Sequence, residues 1–149
     1  MSAQNPLLRA IELGETAEVL RWIQEEPTLL RERAPGGASV LQWAAYLHRS
    51  EIVEALGSAW PDWDLYDAAT TGNSARLAEL LQAGADPNSL SPDGFLPLCL
   101  AAAFGHGQVV EALLQAGADP NFRSQSLGGV APLDSAIFGG DIGVIELLL

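Results

Sequence analysis

Apolar residues along the chain fall in short clusters at helical spacing, and Gly, Pro and Asx residues separate the clusters. That pattern predicts short helices joined by turns. Leu7, Leu8, Ile11 and Leu13 form the first apolar set. Asn5-Pro6 precedes it as N-cap and first-turn proline, and Gly14 breaks it. Thr16 to Glu25 is predicted as a second helix burying Val19, Leu20, Trp22 and Ile23, with Pro27 as its stop. Arg9, Glu12, Glu15, Glu18 and Arg21 give this pair a polar outer face, as a terminal cap requires. Leu41 to Tyr46 and Ser50 to Leu56 are the next pair, with Trp43 in a core slot. Asp64 is placed to N-cap a helix from Leu65, with Asp67 favouring its dipole. Asn73, His106 and Asp141 follow Gly72, Gly105 and Gly140 and are expected to cap the second helix of their pairs. The last helix is predicted over Ile142 to Leu149.

The clusters repeat. Leu80-Leu81-Gln82-Ala83-Gly84-Ala85-Asp86-Pro87-Asn88 returns letter for letter at Leu113 to Asn121, 33 residues on. A nine-residue word at that period marks a stacked-repeat architecture. Each word reads as a helix end plus a turn. The two leucines close an apolar stripe, Gly takes the left-handed stop, and Asp-Pro-Asn turns the chain. Upstream, Leu98 to Val110 aligns with Leu65 to Leu77, and the pattern recurs at Leu133, Leu41 and, more loosely, Leu7. The spacings of these register leucines are 34, 24, 33 and 35.

On these residues the chain resembles the ankyrin-repeat family, whose pattern is Thr-Pro-Leu-His, a small-residue helix, Gly-His, a Val/Leu helix, then Gly-Ala-Asp-x-Asn. Leu96-Pro97-Leu98-Cys99, Ala131-Pro132-Leu133-Asp134 and Ser39-Val40-Leu41-Gln42 stand at the tetrapeptide, and no repeat keeps both its Thr and its His. The resemblance implies an all-α solenoid of about five helix pairs with short β-hairpin fingers. It would form one domain over residues 1–149, with repeats near 4–33, 34–64, 65–88, 89–121 and 122–149. The spacing of 24 implies a missing finger, with Ser58 to Asp64 crossing directly between helices and Trp60 or Trp63 covering the repeat edge. Asn88 to Leu96 and the longer Asn121 to Ala131 are the full fingers expected.

Charge narrows the partners. Seven Arg and no Lys face nineteen Asp and Glu, for a net charge of −12. An acidic surface repels phosphate backbones, so nucleic acid is not the expected partner. Hydrophobic content of 48% suffices for a core. Cys99 is the one cysteine, so no internal disulfide forms. Residues 1–13 carry no secretory pattern, and the closing apolar run is too short to span a bilayer. A cytoplasmic location is the expectation.

Candidate chemistry is sparse. Asp62, Asp64 and Asp67 lack the loop length, central Gly and distal Glu of a calcium-binding hand. His48 and His106 have no ligand partner at metal spacing. Cys99 begins a helix but no motif supplies it a base, so a small buried residue is expected there. No metal, cofactor or catalytic residue is expected.

What remains is surface. In the family, partners are held by finger tips and by two variable positions near the end of each first helix. Carried over, those positions are Tyr46 and Leu47, Thr70 and Thr71, Ala103 and Phe104, Phe138 and Gly139, with Ala38, Phe95 and Val130 on the fingers. The partner-binding set is therefore Tyr46, Leu47, Phe95, Phe104, Val130 and Phe138, because exposed apolar and aromatic groups mark interfaces. The resemblance implies non-catalytic recognition of a protein with a basic surface, through the concave face. Two alternatives are a structural module packing within a larger assembly, and an enzyme or small-molecule site near Cys99, Tyr66 and His106. The last pair offers Asp134, Asp141 and Glu146 but ends on Leu147-Leu148-Leu149 without a helix stop. The last helix is thus expected to fray or to lean on a neighbour. Weak self-association of an otherwise monomeric chain and continuation beyond Leu149 are the accompanying expectations.

Overall fold

Asn5 starts the first helix as its place before Pro6 predicts. Its Oδ1 accepts the Leu7 and Leu8 amides at 2.8 and 3.3 Å, two of the donors that a helix start leaves unpaired. The computed structural model describes residues 5–149. These fall into two compact units, one ending at Asp62 and one beginning at Trp63.

The first unit holds α1 (Pro6–Leu13), α2 (Thr16–Glu25), α3 (Val40–Tyr46) and α4 (Ser50–Ala59). Tight 3-10 turns cover Pro27–Arg31 and Pro35–Gly37. α1 packs on α2, α3 on α4, and α2 on α4. Leu7, Ile11, Val19, Val40, Leu41, Gln42, Ile52 and Leu56 are its largest fully buried side chains. The burial expected along α2 holds for Val19 only. Trp22 and Ile23 are half-buried, and Leu20 is 46% exposed. α2 meets its neighbours along one narrow stripe, and on its open side Arg21 lies 4.6 Å over the Trp22 ring and pairs with Glu18 and Glu25. α4 extends three residues past the expected Leu56.

The second unit holds α5 (Leu65–Thr71), α6 (Ser74–Gln82), α7 (Pro97–Ala103), α8 (Gly107–Gln115), α9 (Pro132–Gly139) and α10 (Ile142–Leu148). α5, α7 and α9 pack in a row, as do α6, α8 and α10, and each first helix packs on its second. Small residues permit the close spacing: Ala68, Ala69, Ala101, Ala102 and Ala136 are all buried. A Cβ at Gly139 would stand 2.5 Å from the Ala103 carbonyl oxygen, so the α9 backbone rests directly on α7. Ten α-helices and no strand are present among the described residues.

The caps replace the family's Thr and His with other chemistry. Ser39 and Gln42 form a reciprocal capping box on α3. Asp64 Oδ1 accepts the Asp67 amide at 2.8 Å on α5, so these carboxylates serve as caps. Leu96 begins α7 without a side-chain acceptor, and its amide donates instead to Ser124 Oγ at 3.0 Å, from the following connection. Asn73 and Asp141 cap α6 and α10 as expected. His106 makes no such bond to α8, because its ring turns back toward α5.

The finger segments are turns without a ladder. Arg33 and Ser39 form an isolated bridge. Ala34 donates to Ala38, Ser91 to Phe95 and Ser124 to Val130, at 2.9, 2.8 and 2.8 Å. Pro35, Pro92 and the glycines leave too few paired positions for strands. Neighbouring turns hold each other: the Gln125 and Ser126 amides both donate to the Gly94 carbonyl, at 2.9 and 3.1 Å. Residues 60–64 lead from α4 to α5 with no strand pairing, the short crossover that the spacing of 24 implies. α10 is helical through Leu148, and the Leu149 amide donates to Ile145 at 3.2 Å, so the expected fraying is not seen. No described helix is long and apolar enough to cross a membrane.

Candidate functional site

The repeated word positions the connections from which the fingers spring. Gly84 and Gly117 adopt φ of 98° and 99°, a conformation that costs side-chain-bearing residues. Asp86 Oδ1 then accepts the Asn88 amide at 2.9 Å, and Asp119 Oδ1 the Asn121 amide at 2.8 Å. Asn88 also joins one word to the next. Its Nδ2 donates to the Gly117 carbonyl at 3.1 Å, and its Oδ1 accepts the Asp119 amide at 2.8 Å.

The candidate binding residues separate by unit. In the first, Tyr46 ends α3 and Leu47 is its C-cap, both half-buried. The Tyr46 hydroxyl takes a 3.4 Å bond from Gln42 Nε2. In the second, Phe95 and Val130 hold the same place ahead of α7 and α9, also half-buried. The Phe95 amide donates to Ser91 Oγ at 2.9 Å, which sets its turn. Phe104 and Phe138 stand near the far ends of α7 and α9, about 10 Å away at the rise of a seven-residue helix. Phe104 is half-buried, its ring nearly parallel to that of His106 with centroids 6.4 Å apart. Phe138 is 89% exposed.

One neighbouring position does not face solvent. Thr70 is 1% exposed, and its Oγ1 donates to the Tyr66 carbonyl at 2.7 Å. Its helix packs on α7, which closes this one of the two variable places, while Thr71 is half-buried. Other exposed apolar residues were not anticipated. Leu127 is 78% exposed at φ 52° on the longer finger, and its signal was the two-residue extension before Gly128-Gly129. Ile137 and Ile142, on α9 and α10, are also exposed.

The three residues of the small-molecule alternative are each engaged between successive repeats. The Tyr66 hydroxyl lies 2.7 Å from Ser89 Oγ. Cys99 is buried, its Sγ 3.6 Å from the Val130 carbonyl oxygen. Burial pushes its thiol pKa up, against smaller opposing bonds from Ser124 and Ser135, so the thiolate that reactivity needs is disfavoured. His106 Nε2 is bonded to the Thr70 carbonyl. No group of three or more potential metal ligands occurs among the described residues.

Comparison with known proteins adds one result. A family model described as ankyrin repeats (three copies) matches residues 65–149, more than half of the chain. No curated protein matches it.

Proposed function

The chain belongs to the ankyrin-repeat family, whose repeats mediate protein–protein interaction, and from that premise we propose that it is a non-catalytic recognition module for a partner protein. We assign the contact, within each unit, to the face shared by its first helices and fingers, and read the chain as five helix pairs. Phe138 carries the reading. A phenylalanine 89% exposed at the end of a first helix contributes little to folding, and aromatic side chains are enriched among the anchors of protein interfaces. Phe104 and the finger residues Phe95 and Val130 lie on the same two repeats and extend the surface. Tyr46 and Leu47 are the corresponding contacts of the first unit. Apolar anchors fill pockets on the partner, and the net charge of −12 steers toward a basic one.

Affinity purification with wild-type chain, against a Phe95→Ala/Phe104→Ala/Phe138→Ala variant of equal fold content, tests this. Proteins captured by the wild type and lost with the variant are the expected result. The same proteins recovered with both would reject the assignment.

A further inference from the structure

Leu127 holds a backbone conformation that leucine disfavours. Its φ is 52°, in the left-handed region where Cβ crowds the following carbonyl oxygen. With Gly128 at φ 75° it forms the centre of a turn, closed by the Gly129 amide donating to the Ser126 carbonyl at 3.1 Å. Two successive positive φ values make a type I′ turn, which suits Asn-Gly or Asp-Gly. The other finger turns avoid this strain. Pro35-Gly36 and Pro92-Asp93 are their central pairs, closed by Gly37 donating to Ala34 at 3.0 Å and Gly94 to Ser91 at 2.9 Å. Proline sets the first φ negative in both. Among the described residues His48 is the one other non-glycine at positive φ, and histidine tolerates that region better than leucine does.

The fold does not offset that strain by burial, because Leu127 is 78% exposed. The turn is nonetheless held firmly. Ser124 donates to the Val130 carbonyl at 2.8 Å, and Arg123 Nη1 to the Gly129 carbonyl at 2.8 Å. The Gln125 and Ser126 amides share the Gly94 carbonyl, and the Ser126 hydroxyl donates to the Asp93 carbonyl. A side chain presented on a rigid turn loses little freedom on binding, and backbone strain of this kind collects at functional sites. We infer that Leu127 is a specificity-determining anchor, which enters an apolar pocket on the partner protein sized for one branched aliphatic side chain. The inference rests on the recognition reading above and adds a residue at the tip of the finger that Val130 closes. Asp93 beside the turn and the net charge of −12 favour a pocket rimmed by Arg or Lys. The same charge repels an anionic bilayer and a second copy of the chain.

Leu127→Asn, made in the full chain, separates stability from recognition. Asparagine suits the turn, so the melting temperature is expected to rise by about 2–4 °C. Benzoylphenylalanine in place of Leu127 is expected to crosslink a protein that wild-type chain also captures. That protein, purified, is titrated against each variant. Leu127→Asn is expected to weaken its Kd about tenfold or more, and Leu127→Met, of similar volume, by less than about threefold. A lowered melting temperature for Leu127→Asn would show that the leucine serves folding and overturns the proposal. An unchanged Kd overturns it too, as does a dimer, or binding to phosphatidylserine vesicles, that Leu127→Asn abolishes. A protein lost with Phe95→Ala/Phe104→Ala/Phe138→Ala but held equally by Leu127→Asn overturns this inference alone and leaves the recognition reading standing. A wild-type chain that captures no protein overturns both.

Discussion

The imidazole Nε2–H of His106 donates to the carbonyl oxygen of Thr70 across 2.9 Å, tying the start of α8 to the end of α5. A carbonyl can only accept, so the ring nitrogen facing it carries the proton. Arg49 holds the corresponding place in the first unit and does the same work, donating to the Glu12 carbonyl at 2.7 Å. Asn73 and Asp141, at that place in their own repeats, bond their own helix instead. Asp141 stands beside Gly105 of the preceding repeat, but a carboxylate has no proton to donate to a carbonyl, whereas imidazole and guanidinium do.

His106 makes stability depend on pH. Burial lowers its pKa from 6.5, partly opposed by the bond to Thr70. The unfolded chain therefore takes up the proton first as pH falls. This contribution is complete above the unfolded pKa and is lost as pH drops through the lower folded pKa. His106→Gln, which keeps a donor but does not titrate, is expected to flatten the decline in melting temperature between about pH 7 and pH 5. Parallel curves for the two proteins would refute the assignment.

Gly72 and Gly140 separate strain from contact. Their φ values are 75° and 76°, so alanine at either costs about 1–2 kcal/mol from conformation alone. A Cβ at Gly72 would also stand 2.5 Å from His106 Nδ1, while one at Gly140 meets nothing within 4 Å. Gly72→Ala is expected to destabilise by about 1 kcal/mol more than Gly140→Ala, through loss of the His106 bond. Urea denaturation of both, and of Gly72→Ala combined with His106→Ala, measures the difference. Strict additivity in the double variant would show that the ring is not involved.

Asn88 and Asn121 end the same nine-residue word but do different work. Asn88 bonds both Gly117 and Asp119 in the next repeat; the Asn121 side chain is exposed. Asn88→Ala is expected to cost about 1–2 kcal/mol and Asn121→Ala less than about 0.5 kcal/mol. Equal midpoints in chemical denaturation would contradict this.

Phe138 and Phe104 differ in how much folding depends on them. Phe138→Ala is expected to change stability by less than about 0.5 kcal/mol. Phe104→Ala, half-buried beside His106, is expected to cost about 1–2 kcal/mol, below the roughly 3–5 kcal/mol of a fully buried phenylalanine. Calorimetric unfolding distinguishes the two. A large loss at Phe138 would place it in the core and remove it from the binding surface.

Local chemistry was legible in the sequence because it is settled within a few residues. Asn5-Pro6 capped a helix, Gly84 and Gly117 stopped two, Asp64 and Asp67 proved to be caps, and the 33-residue word announced the repeats. Burial at a given repeat place was not legible, because it depends on what the following repeat sets against it. Thr70 closes under α7, whereas Phe138, five residues past its register leucine as Thr70 is past Leu65, stands open. The two copies of the word are identical in sequence, yet the Asn88 side chain bonds Gly117 and Asp119 and that of Asn121 is exposed. The same holds for His106: its sequence position suggests a cap, and only the packing of α8 beside α6, with α5 within reach, brings the Thr70 carbonyl to its ring. Turns and caps are short-range and therefore written locally; exposure, repeat-to-repeat bonds and surface belong to the stack, and tertiary packing decides them.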